Sequence, residues 1–308
     1  MTKIFLAMPT FSTNEHTSDL DRYYSTVVIE RDRSHALENL VSEHADADTL
    51  VVGVREPVTP GLLAELPSLR LLATVSTGVD HIDLDAVSAR GIDLIDAAGA
   101  NSAAVAEHIL MFALMQLRDY PNAAAGVLNG SDRDGLRFTA RSLEGRRFGI
   151  VGAGSICYAL VPRLTAMGCD VIVHTKRPDE HRDLEAAGVA LVPFDEVLKT
   201  AELLALCVPL TVETTGMIDT PQIDAMRDSA TLISTGRLDL ITEAAIQSLL
   251  STRTDIRLAL DHLHLSRRSD ILELGPRLIA TPHIAGVTED ARRAMEDAVI
   301  AKIVSRYA

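Results

Sequence analysis

The sequence predicts an α/β protein with two doubly wound parallel sheets, the second unit being inserted into the first. Three observations support this fold class. Short apolar runs that fit buried strands alternate with helical segments along the whole chain. A glycine-rich turn of the kind that opens an α/β unit lies in mid-chain, at residues 152–154. The final segment, Thr288–Tyr307, is amphipathic, and we expect it to form a helix that returns to the first unit.

Composition limits the class of protein. The chain has 308 residues, which is enough for two domains with cores of their own, and its net charge of −14 argues against nucleic acid as a partner. Three cysteines (Cys157, Cys169 and Cys207) lie in apolar or helical contexts without paired metal spacing. We therefore expect reduced thiols, no metal site and a cytoplasmic location. No apolar run reaches the length of a signal sequence or a membrane span, so no membrane partner is predicted.

Apolar runs in the first unit predict five strands separated by short helices. The strands are Lys3–Met8, Thr26–Glu30, Leu50–Val54, Leu71–Val75 and Ile92–Ile95, and the helices are Ala36–Ser42 and Leu62–Leu66. Asn101–Tyr120 is rich in Ala, Leu and Met and predicts a long, mostly buried helix. The polar, glycine-bearing segment Pro121–Arg141 predicts a projecting connection.

A strand–turn–helix pattern then opens the second unit. Phe148–Val151 is a short apolar run, and a tight turn with glycine at 152 and 154 follows it. Gly152 permits the turn, while Gly154 lets the backbone approach a pyrophosphate at the start of a helix. Cys157 occupies the position of the third glycine in the usual dinucleotide-binding fingerprint. The pattern predicts a dinucleotide site.

Later apolar runs predict the remaining strands of the second sheet. They lie near Val171–His174, Leu203–Cys207, Thr231–Ser234, Arg257–Asp261 and Leu278–Ala280. In the closing helix, the apolar residues along one stripe are Ala291, Met295, Val299 and Ile303. We expect a cleft between the two units, which is a usual place for a small-molecule site.

Six motifs occur in one order from about Leu71 to Gly286. They are Ser76-Thr77-Gly78-Val79-Asp80, Asn101-Ser102-Ala103-Ala104-Val105-Ala106-Glu107-His108, the glycine turn, Cys207-Val208-Pro209-Leu210-Thr211, Ser234-Thr235-Gly236-Arg237 and Thr281-Pro282-His283-Ile284-Ala285-Gly286. Six ordered motifs are far more specific than one glycine fingerprint. In them the chain resembles the D-isomer-specific 2-hydroxyacid dehydrogenase family.

The resemblance implies two Rossmann-like domains, with the cofactor domain inserted into the substrate domain. Residues 1–100 and 285–308 would bind a small 2-oxoacid or 2-hydroxyacid, and residues 101–284 would bind the dinucleotide. It also implies a homodimer in which Pro121–Arg141 packs on a second copy. The implied cofactor contacts, besides Gly152 and Gly154, are Ser155, Ile156, Thr175, Lys176, Arg177, Cys207, Val208, Pro209, Thr214, Thr235 and Asp261.

Two residues are predicted to carry the chemistry. Arg237 follows an apolar strand, and its guanidinium can contact both the carboxylate and the carbonyl oxygen of a 2-oxoacid. His283, preceded by Pro282, resembles the acid/base of the family, which supplies a proton to the developing alkoxide. Lone histidines such as His81 and His108 are expected to be structural.

A loop of the first unit is the predicted substrate-binding segment. In Ser76–Asp80, consecutive backbone N–H groups can bind a carboxylate, and the resemblance assigns this role to Gly78 and Val79 beside Thr77. Arg55, after the strand Leu50–Val54, is a candidate for a further contact.

The chain also departs from the family pattern. Most members have a glutamate that hydrogen-bonds the catalytic histidine, and the aligned position here falls near Ser266, without a carboxylate. The replacement is left open between His264, Ser266 and Asp270. Arg237 is followed by Leu238 rather than by the usual glycine.

The end of the strand at Val171–His174 indicates the choice of cofactor. An NAD site usually has an acidic residue there for the ribose 2′-hydroxyl. This strand instead continues as Thr175-Lys176-Arg177, with two cations and no acid, and resembles the NADP-using glyoxylate/hydroxypyruvate reductase branch. The sequence therefore favours NADP(H) over NAD(H).

The motifs bear on three classes of function. The first is an NADP(H)-dependent 2-oxoacid reductase. The second is a nucleotide-binding relative with altered or lost dehydrogenase activity and a regulatory role, which the missing glutamate and Arg267-Arg268 suggest. Retention of both Arg237 and His283 favours the reductase. A Rossmann-type methyltransferase is disfavoured by the mid-chain fingerprint and the Thr-Pro-His motif.

Overall fold

The structure, a computed structural model, describes residues 2–30, 37–132, 140–262 and 269–306. The chain divides into two compact units. Unit 1 comprises Met1–Asn101 and Thr288–Ala308, and unit 2 comprises Ser102–Val287. Each unit contains one parallel sheet, which confirms the predicted fold class.

Twelve strands form the two sheets in the described residues. They are β1 Lys3–Leu6, β2 Thr26–Ile29, β3 Thr49–Val52, β4 Leu71–Thr74, β5 Asp93–Ile95, β6 Arg147–Val151, β7 Asp170–His174, β8 Ala190–Leu191, β9 Leu203–Leu206, β10 Thr231–Ser234, β11 Arg257–Leu260 and β12 Leu278–Ala280. The helices are α1 Leu37–Glu43, α2 Pro60–Ala64, α3 Leu84–Ala89, α4 Ser102–Leu117, α5 Tyr120–Leu128, α6 Ser155–Ala166, α7 Arg182–Ala186, α8 Phe194–Thr200, α9 Thr220–Ala225, α10 Glu243–Ser251 and α11 Glu289–Ser305.

The sheet of unit 1 has the order β2-β1-β3-β4-β5. Its central strands are buried on both faces, as their continuous apolar sequences require. Helix α11 contributes Val299, Ile300 and Ile303 to the core on one face, where they join Ile4 and Leu71. The closing helix therefore completes a core that otherwise comes from the first hundred residues.

The sheet of unit 2 has the order β12-β11-β10-β9-β6-β7-β8. Chain order reverses between β6 and β9, so that strand pair is the topological switch point of a doubly wound sheet. Close packing demands glycine within β6, because a Cβ on Gly149 would lie 2.6 Å from a methyl carbon of Val197 in α8. The sequence of β6 thus fits a strand at the crowded centre of this sheet.

The predicted connection Pro121–Arg141 is partly wrong. Residues 120–128 form α5, while residues 133–139 lie outside the described part of the chain. Helix α4 ends at Leu117, and Asp119, with φ of 49°, separates it from α5. The three alanines 123–125 favour a helix, and Pro121 lies in the first turn, where a missing N–H is tolerated.

Membrane-spanning character is absent from the described helices. Within the described ranges, none is both long and apolar enough to cross a membrane.

Candidate active site

Five strands of unit 2 end level with one another at one edge of the sheet. The register pairs Val151 with Leu206, Leu206 with Ser234, Ser234 with Leu260 and Leu260 with Ala280. The residues that follow these strand ends are Gly152, Cys207, Thr235, Asp261 and Thr281. Ligands of open α/β sheets bind outside this carboxyl edge, near the switch point. Motifs that are far apart in sequence therefore meet along one row.

The glycine turn at the switch point has the shape that a pyrophosphate needs. Gly152 has φ of 104°, and a Cβ there would lie 2.5 Å from the carbonyl oxygen of Cys207. A Cβ on Gly154 would meet no atom of the described residues within 4 Å. Helix α6 begins at the next residue, Ser155, so its positive end faces this open space. These residues fit a dinucleotide.

Cys157, at the third-glycine position, is a packing residue. Its side chain is buried beside Leu160 and Leu164 in the core of unit 2. Burial, with a smaller contribution from Asp183, raises the pKa of the thiol to about 12. A thiol with that pKa is protonated near neutrality and is a poor nucleophile.

The basic turn after β7 is paired with acids of the same chain. Lys176 Nζ lies 2.7 Å from Glu213 Oε2, and Arg177 Nη1 lies 3.0 Å from Glu180 Oε2. All four side chains are more than half exposed, so solvent screens both pairs and each contributes little to stability. A ligand phosphate can therefore displace these acids from Lys176 and Arg177 with little loss of stability.

The Cys207–Thr214 segment lies against the glycine turn. The backbone N–H of Cys207 donates to Val151 at 2.8 Å. Further along, Thr214 Oγ1 donates to the carbonyl oxygen of Pro209 at 2.6 Å and accepts from the N–H of Thr211 at 2.8 Å. Thr214 thus fixes the turn that carries the predicted cofactor-contacting backbone, while its own contact with a cofactor stays a prediction.

Arg237 and His283 lie in contact. The guanidinium Nη1 of Arg237 is 3.4 Å from His283 Nε2, and both side chains are half-buried. Because a guanidinium can only donate, Nε2 accepts and the proton of the neutral ring resides on Nδ1. The backbone of His283 has φ of 61°, an uncommon conformation for a residue other than glycine. The structure therefore brings together both residues that were predicted to be catalytic.

Asp261 holds the backbone on the far side of His283. Its carboxylate is 1% exposed. The oxygens accept from the N–H groups of Ile284 at 2.8 Å and Ala285 at 2.6 Å, and one also accepts from the hydroxyl of Thr281. Three positions around His283 (281, 284 and 285) are thus tied to one buried acid. Its predicted contact with a cofactor is untested, but its role in shaping this loop is visible.

Sequence reasoning missed His262, which contacts His283, the predicted acid/base. The Nδ1 atoms of His262 and His283 lie 2.7 Å apart, and the ring planes are almost perpendicular at 89°. Of the three residues considered as a replacement for the missing glutamate, His264 and Ser266 lie outside the described residues. Asp270 Oδ2 lies 3.4 Å from Gln247 Nε2. The signal for His262 was its place two residues after the end of β11, next to Asp261.

His108, which was expected to be structural, lies beside Thr281 and Asp261. Its Nε2 is 3.1 Å from the hydroxyl of Thr281 and 3.8 Å from Asp261 Oδ1. Burial lowers the pKa of His108, and the charge of Asp261 opposes that shift only in part. The ring is therefore neutral near pH 7 and acts as a hydrogen-bonding neighbour of Thr281.

The predicted substrate loop in unit 1 has a defined turn. Ser76 Oγ donates to the carbonyl oxygen of Gly78 at 2.6 Å and also contacts the hydroxyl of Thr74 at 2.8 Å. Within the described ranges, the N–H groups of Thr77, Gly78 and Val79 have no acceptor. Arg55 is exposed just beyond β3. The turn presents three consecutive donors, as an anion-binding backbone does.

The glycine turn, the open space beside it and the row of strand ends define unit 2 as a dinucleotide-binding domain of the doubly wound class. Residues 110–285 match the family model for "D-isomer specific 2-hydroxyacid dehydrogenase, NAD binding domain". The chain belongs to the D-isomer-specific 2-hydroxyacid dehydrogenase family, as the six ordered motifs predicted.

Known relatives agree with this assignment. A D-3-phosphoglycerate dehydrogenase of Methanocaldococcus jannaschii is 33% identical over 261 residues, covering 83% of this chain and 49% of the relative. A glyoxylate reductase of Thermococcus litoralis is 28% identical over 276 residues, covering 86% of this chain and 82% of the relative. The chain thus spans about half the length of the phosphoglycerate dehydrogenases that it matches.

Solved structures have the same fold. A D-lactate dehydrogenase of Aquifex aeolicus, complexed with NAD and lactic acid, has a TM-score of 0.79 and 27% identity, covering 99% of this chain and 95% of that one. A D-isomer-specific 2-hydroxyacid dehydrogenase from Polaromonas, described as putative, has a TM-score of 0.80 and 25% identity, covering 100% and 97%.

Proposed function

We propose that the chain reduces a small 2-oxoacid to a D-2-hydroxyacid with NADPH. The observation that carries this proposal is the 3.4 Å contact of Arg237 with His283, at the carboxyl edge of a dinucleotide-binding sheet. A cationic fork beside a titratable imidazole is the pair that carbonyl reduction needs. In this proposal unit 2 binds the cofactor and unit 1 supplies Thr77, Gly78, Val79 and Arg55 to the substrate.

The two residues have separate tasks in the proposed reaction. When bound, the reduced nicotinamide supplies a hydride to the carbonyl carbon. Arg237 binds the carboxylate and stabilises the negative charge that develops on the carbonyl oxygen. His283 in its protonated form donates a proton from Nε2 to that oxygen, which completes the hydroxyl group. The neutral ring then regains a proton from solvent.

The proposal is tested with a panel of 2-oxoacids, each offered with NADPH and with NADH. Loss of absorbance at the reduced nicotinamide band reports turnover. We expect at least one small 2-oxoacid to be reduced. NADPH binding without oxidation by any member of the panel would contradict the proposal and would favour the regulatory alternative.

The preference for NADPH is part of the proposal and depends on the turn after β7. His174 ends that strand where an NAD site usually has an acid, and its Nδ1 lies 3.1 Å from the carbonyl oxygen of Val192. Lys176 and Arg177 follow it and are exposed. Because their present acidic partners are held weakly, a 2′-phosphate can compete for them.

We expect Arg177→Ala to weaken NADPH binding about tenfold and NADH binding much less. The expected loss corresponds to about 1.5 kcal/mol, the low end for a charge-assisted hydrogen bond, because Arg177 is exposed. Removal of a competing acid by Glu213→Gln should tighten NADPH binding. Fluorescence titration of both cofactors measures these effects.

A matched control for lost positive charge is Arg293→Ala in unit 1, where an exposed arginine pairs with Glu289. It should leave both affinities unchanged. Equal losses of NADPH and NADH affinity in Arg177→Ala would show that the basic turn does not recognise the 2′-phosphate.

A homodimer is also proposed, through α4, α5 and the segment that follows. Several large apolar side chains are exposed on these two helices, which supports an interface. They are Met111, Leu114, Tyr120, Val127 and Leu128. Leu128 is 88% exposed, an unusual setting for a leucine in an otherwise well-packed unit.

We expect Leu128→Glu to convert a dimer into a monomer at micromolar concentration. Burying a leucine at an interface contributes about 1.5–3 kcal/mol, and a buried unpaired carboxylate opposes association further. Sedimentation velocity measures the change. The control is Leu84→Glu, which places the same charge on an exposed leucine of unit 1. A monomeric wild type would contradict the proposed dimer.

A further inference from the structure

We infer that His262 is a positioning residue for His283 and takes the place of the family's glutamate by accepting the proton of His283 Nδ1. The inference deepens the proposed function and rests on it. It starts from the shortest contact that the described residues make with the ring of His283, the 2.7 Å separation of the two Nδ1 atoms.

The direction of this hydrogen bond follows from the neighbours. Two nitrogens at 2.7 Å share one proton, since two lone pairs or two N–H groups would repel. Arg237 faces Nε2 of His283 and can only donate, so the neutral ring of His283 has its proton on Nδ1. His262 Nδ1 is then the acceptor. The carbonyl oxygen of Asp261, at 3.2 Å from His283 Nδ1, is a weaker second acceptor.

Two consecutive residues therefore hold the acid/base from two sides. Asp261 fixes the backbone after His283 through the N–H groups of Ile284 and Ala285. His262 fixes the ring. The left-handed backbone of His283, with φ of 61°, is unfavourable for a histidine and persists only where surrounding contacts enforce it. Both contacts at the end of β11 serve that purpose.

A neutral imidazole and a carboxylate have different effects on the proton affinity of His283. The charged and titratable groups that described residues place around His283 are His262, Arg237 and Asp261. A carboxylate at the acceptor position would favour the imidazolium form of His283. His262 orients the ring without supplying that charge, and protonation of both rings beside Arg237 is unfavourable. The two histidines together therefore take up a single proton beyond their neutral forms. They release it at lower pH than a carboxylate–histidine pair does.

Three substitutions separate orientation from charge. Asn and Asp both place an oxygen where His262 has Nδ1, and they differ only in charge, whereas Leu offers no acceptor. We expect His262→Leu to lower kcat for reduction about tenfold or more, with KM changed less than about threefold. His262→Asn should restore kcat to within about threefold of wild type. His262→Asp should move the falling limb of the pH profile upward by about one pH unit or more.

A second readout does not depend on turnover. In ¹⁵N-labelled protein, the ring nitrogens of His283 should report an Nδ1–H tautomer in the wild type. The pKa of His283 should rise in His262→Asp relative to His262→Asn. His16→Asn in unit 1 is the matched control and should leave the His283 signals unchanged. If the Leu variant fails to fold, comparison of the isosteric Asn and Asp variants still tests the role of His262.

The two possible failures are distinguishable. A wild type that reduces no 2-oxoacid refutes the proposed function, while the NMR titration still reports on the histidine pair. Identical His283 titrations and tautomers in the wild type and in the Asn, Asp and Leu variants would overturn the role of His262, whatever the activity.

Discussion

Replacing His283 with asparagine should lower kcat for 2-oxoacid reduction by about 10²–10⁴-fold, the range that general acid catalysis contributes. Asparagine cannot deliver a proton, but it tolerates the left-handed backbone that His283 adopts. It also retains a polar atom at the Nδ1 position toward His262. The loss should therefore reflect missing acid catalysis rather than a rearranged loop.

Steady-state kinetics measure the loss of kcat in His283→Asn, and a fluorescence titration measures its affinity for NADPH. That affinity should stay within about threefold of the wild-type value. In the wild type, reduction needs the protonated ring, so its rate should fall as pH rises through the pKa of His283. Oxidation of the hydroxyacid needs the neutral ring and should persist to higher pH. A reduction rate that stays flat to about pH 9, with chemistry rate-limiting, would mean that another group supplies the proton.

Replacing Arg237 with glutamine should lower kcat/KM for the 2-oxoacid by about 10²–10³-fold. Glutamine removes the charge that binds the carboxylate, and its shorter, neutral amide does not keep the guanidinium donors at the developing oxyanion. Loss of one such donor costs about 2.7–4 kcal/mol. Arg237→Lys retains the charge but not the planar fork, so its loss should be intermediate. Kinetics over a range of 2-oxoacid concentrations separate KM from kcat.

Arg227→Gln is the control. This half-exposed arginine precedes β10, at the amino ends of the strands, and its Nη1 lies 3.5 Å from Glu202 Oε1. It should leave kcat/KM unchanged. Comparable activity in Arg237→Gln and the wild type would remove Arg237 from the proposed mechanism.

Strands of unit 2 were predictable because buried parallel strands are short apolar runs bounded by turns. The predicted and observed bounds of β10 and β12 coincide. Two-residue β8 was not predicted, since so short a strand has no pattern of its own. Helix α5 was assigned to a connection because the segment 121–141 as a whole is polar and glycine-bearing, which hides the helix-favouring alanines at its start.

For the candidate site, the residues were predictable but not all of their contacts. Arg237 and His283 follow from motifs whose order is specific. Contact of His262 with His283 depends on how two strand ends, 21 residues apart in sequence, direct their side chains. The pairing of Lys176 with Glu213 likewise spans 37 residues. Such contacts are set by strand register and loop path, which apolar periodicity does not encode.

The contribution of α11 to the core of unit 1 has a consequence for biosynthesis. Val299, Ile300 and Ile303 are buried against strands of the first hundred residues, so one face of that sheet lacks part of its cover until the ribosome has made α11. Every residue of unit 2 emerges before α11 does. Although domains generally fold in the order of synthesis, here the second unit can finish first. The nascent first unit then exposes apolar surface while unit 2 is being made, which is when chaperones would bind it.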